Sequence, residues 1–132
     1  MTSDSYIMKI NTRELTGAAL DWAVAKCEGV SGKVIVRADK GVKVLCLTTL
    51  LNQYSPSTYW AHGGPIIERN FISVQQNMDG DCSATMWIGR LVHQRHIGTQ
   101  AKESKLLIAA MRCYVASKLG DEVEVPDELL SP

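Results

Sequence analysis

One short segment near the middle of the chain, YSPSTYWAHGGPIIER from Tyr54 to Arg69, gathers flat rings, hydroxyls, paired glycines and a guanidinium. Tyr54, Tyr59 and Trp60 offer faces on which a base can stack, each contact contributing about 1–3 kcal/mol in stacking systems. Ser55, Ser57 and Thr58 supply hydroxyls that can bond a ribose, and Ser57 also has the type that caps a following helix. Gly63 and Gly64 let backbone amides come close to a phosphate oxygen, although a pair of glycines also suits a tight bend. Arg69 can fork onto a phosphate. A helical turn opening at Pro65 would add the partial positive charge of its amino end. Trp22 lies upstream on an apolar helical stripe and reads as core, forming the floor of such a pocket. This chemistry is the binding of a small, planar, anionic nucleotide-type ligand.

Catalysis has less support. A metal centre needs clustered ligands, yet the chain has no CxxC and no HExxH. His93 and His96 stand three apart among residues that favour a strand, where they point to opposite faces. Asp79 and Asp81 flank Gly80, which is turn chemistry. Ser55 and Ser57 are near His62, but no GxSxG elbow is present. Cys27 and Cys113 fall in apolar patterns, where a thiol stays protonated. The phosphate-binding GxxxxGK is absent. The expectation is a non-enzymatic binder with no metal and no cofactor. The enzymatic alternative is a nucleotide phosphodiesterase or hydrolase using His62, His93 or His96 as acid or base.

The elements that must hold these residues can be read along the chain. Asn11 with Glu14 has the form of a capping box, and Leu15, Ala18, Trp22 and Ala25 continue a helical stripe to Gly29. Lys33–Ala38 and Val42–Leu47 read as strands around Asp39-Lys40-Gly41. Ser57 caps a short helix that Gly63-Gly64-Pro65 should break or kink. Phe71–Asn77 and Cys82–Ile88 read as strands joined at Asp79-Gly80, with a continuation to Ile97 past a turn at Gly89. Trp87, between Met86 and Ile88, is expected in the core. Lys102–Leu119 is the clearest helix, ended by Gly120. The tail DEVEVPDELLSP suits an edge strand. The order predicts an α+β sandwich: a small antiparallel or mixed sheet of about four strands with helices packed against it.

The 132 residues carry 14 basic and 14 acidic side chains, a formal net charge of zero. This argues against a dedicated DNA binder working through broad electrostatics, and no specific nucleic-acid partner is expected. Charge is uneven, however: Arg90, Arg95, Lys102 and Lys105 form a basic strip, and 121–132 is an acidic tail. Four scattered cysteines and no membrane-length apolar run point to a reduced, cytoplasmic protein without a membrane partner.

Three blocks carry a family resemblance: MKINTRELTGAALDWAVAKCEG from Met8, YSPST-WA-GGPIIER in the middle, and LIAAMRCYVASKLGDEVEVPDEL near the end. Together they resemble small phage-encoded proteins of the NinX-like, ABA-sandwich family, in the family's order. The resemblance implies that 1–7 is an extension, that 8–120 is one domain with an α/β/α sandwich fold, and that the protein is a phage accessory factor in the host cytoplasm. Tyr59 stands where the family has an acidic residue and His62 where it has a glutamine-like one, so this chain is the more welcoming to an anion. Residues 75–105 depart from the family text, with Gly98-Thr99-Gln100 before the last helix. Phage accessory proteins often counter bacterial defence, and that defence often signals through nucleotides. The expected function is sequestration of such a signal, with NAD-derived cyclic or conjugated ADP-ribose the preferred class. The alternative outside small-ligand binding is an inhibitor of a host protein, working through the acidic tail. Val123 and Val125 alternate in a way that could pair with a second chain and give a homodimer.

Overall fold

The computed structural model describes residues 7–30, 32–37, 42–47, 54–78, 81–96, 105–126 and 129. Expectations for 1–6, for the Asp39-Lys40-Gly41 and Asp79-Gly80 turns, for Gly98-Thr99-Gln100, for Lys102 and for Asp127 and Glu128 fall outside the described residues.

The α+β class holds. Among the described residues, three helices, α1 (Gly17–Glu28), α2 (Trp60–Arg69) and α3 (Lys105–Leu119), accompany seven strands. The strands are β1 (Ile7–Asn11), β2 (Gly32–Arg37), β3 (Val42–Leu47), β4 (Ser73–Gln76), β5 (Cys82–Trp87), β6 (Leu91–His96) and β7 (Glu122–Pro126). Every pairing is antiparallel. The strands do not gather into one sheet of about four; they divide into the pairs β1–β7 and β2–β3 and the three-stranded β4–β5–β6.

The middle layer is a helix. Every residue of α3 from Leu107 to Ala116 is buried, as an apolar sequence without a polar face requires. The β4–β5–β6 sheet packs on one side of α3, and α1 and α2 pack on others. Of β5, Cys82, Ala84 and Met86 face α3 and are buried, while the alternate residues face outward. Trp87 is therefore not in the core: the strand's parity turns its ring away, and 72% of the residue is exposed.

Local signals succeed where no distant contact competes. Gly29 ends α1 with φ 73°, and the bonds Val30 N–H to Ala25 O and Gly29 N–H to Lys26 O complete a Schellman motif. The Asn11–Glu14 capping box does not form. Thr12 instead donates its N–H to Asp121 O at 2.8 Å and its hydroxyl to Gly120 O at 2.6 Å, and Thr12–Glu14 closes as a 3-10 turn. The helix starts only at Gly17.

The predicted break at Gly63-Gly64-Pro65 is also absent, because α2 runs through it. Pro65 removes one ladder bond but lies exposed, where water can meet the freed carbonyl. Gly63 is a packing residue: a Cβ there would lie 2.3 Å from Pro56 O and 2.6 Å from Leu107 Cδ2. The close approach of α2 to α3 stabilises the helix against its own weak sequence.

The acidic tail begins as a core strand. Val123 and Val125 are buried in this chain, and β7 pairs with β1, setting Glu124 opposite Lys9. Among the described residues, no helix is long and apolar enough to cross a membrane.

Candidate functional site

Pro56 begins a turn that leads into α2, and this turn sorts the Tyr54–Arg69 segment into anchored and free residues. Ser55 and Ser57 are buried. The N–H of Ser57 donates to Asp21 Oδ1 of α1 at 2.9 Å. Its hydroxyl is buried beside the same carboxylate without completing a well-formed hydrogen bond. Ser57 thus ties the turn to α1 and does not cap α2, whose N-cap is Tyr59 with no side-chain bond. Asp21 pays for this anchoring: burial pushes its carboxyl up to about 7, against the lowering effect of Ser57.

The rings stand outside this anchor. Tyr59 is 56% exposed and Trp60 47% exposed, while Tyr54 is half-buried. His62 joins two of them: it stacks on Tyr54 with centroids 5.6 Å apart and meets Tyr59 edge-on at 4.8 Å. Its Nδ1 accepts the N–H of Ser55 at 3.0 Å. Burial lowers the imidazole's pKa, so the neutral ring with hydrogen on Nε2 is favoured. Burial, then the Glu28 carboxylate, push the Tyr54 phenol up to about 12, so it stays a donor.

Thr58 is exposed beside these rings. Gly64 lies in the second turn of α2, where N–H groups belong to the helix's own ladder. Arg69 is exposed but bonded to Glu28 Oε1 at 2.7 Å, and Glu28 Oε2 accepts the Tyr114 hydroxyl at 2.5 Å. Trp22 is partly buried against the core, with Lys26 Nζ 5.3 Å above its ring. The structure thus joins Tyr54 and Tyr59 through His62, leaves Thr58 and Trp60 exposed on either side of Tyr59 in the chain, and buries Ser55, Ser57 and Gly63.

Sequence reasoning gave His62 a role in catalysis or in favouring an anion and missed its clamping of the tyrosines. The spacing Tyr59 to His62, one helical turn, was the available signal. It also missed Asp21, whose partner lies 36 positions away. Among the described residues, no three side chains of metal-ligating type come together.

A separate depression of about 810 Å³ lies between β6, the 3-10 turn and α3. Arg13, Arg95 and Arg112 supply its positive charge, Glu14 and Asp121 its negative charge. Arg112 is buried and donates to Leu15 O at 2.8 Å and to Arg95 O at 2.9 Å. Gln94 Oε1 is buried in its wall without a hydrogen-bond partner among the described residues.

No curated protein matches this chain. A family model described as "Bacteriophage P22, NinX" matches residues 11–118, a span that holds α1, α2, α3 up to Lys118 and the ring residues of the site. The chain therefore belongs to the bacteriophage P22 NinX family.

Proposed function

We propose that this protein captures a small nucleotide-type signal in the host cytoplasm and so counteracts bacterial anti-phage defence. It does this by binding alone, without turnover. The observation that carries the reading is the half-exposed pair Tyr59 and Trp60 at the uncapped start of α2, with His62 clamped between Tyr59 and Tyr54. A base stacks on these rings. The first N–H groups of α2 receive phosphate, because no side chain caps them and the helix dipole favours an anion there. Thr58 reaches the sugar. Arg69, held by Glu28, positions α2 against α1 and is not the phosphate ligand. NAD-derived cyclic or conjugated ADP-ribose is the preferred class, since it joins adenine to phosphates at this scale.

Protein incubated with cyclic ADP-ribose, desalted and then heat-denatured releases intact ligand, and Trp60→Ala releases little. No release from the wild type refutes capture. A chemically altered product moves the protein to the hydrolase reading. Inhibition of a host protein through the acidic tail has less support, because Val123 and Val125 are core residues and Lys9 stands opposite Glu124.

A further inference from the structure

The helix α2 ends in the same motif as α1, with one difference. Ile72 donates its N–H to Ile67 O at 3.1 Å and Phe71 donates to Glu68 O at 3.4 Å. The residue at the left-handed position of a Schellman motif is ordinarily glycine, as Gly29 is in α1. In α2 it is Phe71, with φ 53°. A bulky side chain is strained in that conformation. Burial does not compensate, since 87% of Phe71 is exposed. An aromatic ring displayed where glycine would be the more stable choice points to a role outside the fold.

The neighbouring sheet supplies the context. Its register aligns Ser73 with Thr85 and His93, and Gln75 with Ser83 and Arg95. Phe71 stands two residues before Ser73, at the end of the sheet where Trp87 pairs with Leu91. These rows lie opposite the buried Cys82, Ala84 and Met86, on the outer face. The first row is apolar and open, with Trp87 and Leu91 72% and 64% exposed. The next two rows carry hydroxyls, an amide, an imidazole and a guanidinium, and no row contains a carboxylate. Arg90 is exposed at the hairpin tip beside the rings. Asp81, at the far end, is bonded to Arg95 at 2.8 Å. His93 and Arg95 also line the depression described above, so the face continues past β6 towards Arg13, with Glu14 and Asp121 on its far rim.

We propose that this outer face binds single-stranded nucleic acid. Bases lie on Phe71 and Trp87, and the sugar-phosphate backbone crosses towards His93 and Arg95. Four residues along a strand separate the first row from the third, about 13 Å, several times the roughly 3.4 Å rise per nucleotide of a stacked strand. The face therefore takes a short oligonucleotide. A second copy packed face to face would set Arg90, His93 and Arg95 against the same groups, and the Asp81 carboxylate is already bonded to Arg95. An acidic protein would meet the cations but would not use the open ring faces.

The test is fluorescence anisotropy of a labelled oligothymidylate at low salt. The wild type binds it more tightly than it binds a duplex of equal length, and affinity falls as salt rises. Trp87→Ala and Phe71→Gly each weaken binding from about fivefold to about a hundredfold. Phe71→Gly does so while raising the thermal midpoint, so unfolding is not the cause. Cyclic ADP-ribose in excess leaves the labelled oligonucleotide bound, which separates this face from the nucleotide site. Three outcomes overturn the proposal: no binding by the wild type, binding by both variants equal to the wild type, or displacement of the oligonucleotide by polyglutamate at lower concentration than by unlabelled oligothymidylate.

Discussion

Replacing Asp21 with asparagine should make the protein more stable at neutral and alkaline pH. The carboxyl is buried, and its pKa stands at about 7 in the fold against 3.8 in an unfolded reference. Below pH 3.8 both states carry the proton, and the side chain's contribution to stability is fully present. As pH rises, the unfolded chain ionises first while the fold keeps its proton. Stability then falls until the folded group also ionises, near pH 7. The difference is about three units, and at about 1.4 kcal/mol per unit the loss reaches about 4 kcal/mol. Asparagine keeps the oxygen that accepts the Ser57 N–H and removes the ionisation. Its amide group also meets the buried Ser57 hydroxyl, which has no full hydrogen-bond partner. The exchange of a charged acceptor for a neutral one returns about 1 kcal/mol of this gain. Urea denaturation from about pH 5 to about pH 8 should therefore show Asp21→Asn gaining roughly 3 kcal/mol over the wild type across the window. His62 acts in the opposite sense in both proteins, because its lowered pKa removes stability at acid pH and restores it as pH rises through 6.5. It cancels in the difference. Stability curves that stay parallel over the whole window would refute the reasoning.

Two further substitutions test the packing. Phe71→Gly should stabilise the protein by about 1 kcal/mol in urea or thermal denaturation, since relief of left-handed strain outweighs the entropy of an added glycine. Gly63→Ala should destabilise it by about 1–3 kcal/mol, because the new methyl meets the Pro56 carbonyl, a backbone atom that cannot swing aside. An unchanged midpoint would place α2 further from Pro56 than its geometry implies.

Much of the fold was legible because it is written locally. α1 from its apolar stripe to Gly29, the strand at Cys82–Trp87, α3 up to Gly120 and a terminal strand tolerant of Pro126 all follow from periodicity and punctuation. The errors share one cause. Asn11–Glu14 was a sound cap until Gly120 and Asp121, distant in sequence, claimed Thr12. Gly63-Gly64-Pro65 was a sound break until α3 offered a surface that only a glycine could approach. Trp87 was a sound core residue until the pairing of β5 fixed which parity faced α3.

The chemistry divides along the same line. Residue types alone marked the Tyr54–Arg69 segment as aromatic, hydroxyl-rich and tolerant of anions, because those properties belong to side chains wherever they sit. Which of them face solvent was decided by tertiary contacts. Asp21 draws Ser57 inward, Glu28 holds Arg69, and His62 fixes the angle between two tyrosines. A pattern in sequence sets what a group can do, but orientation depends on partners that the chain brings near only when it folds.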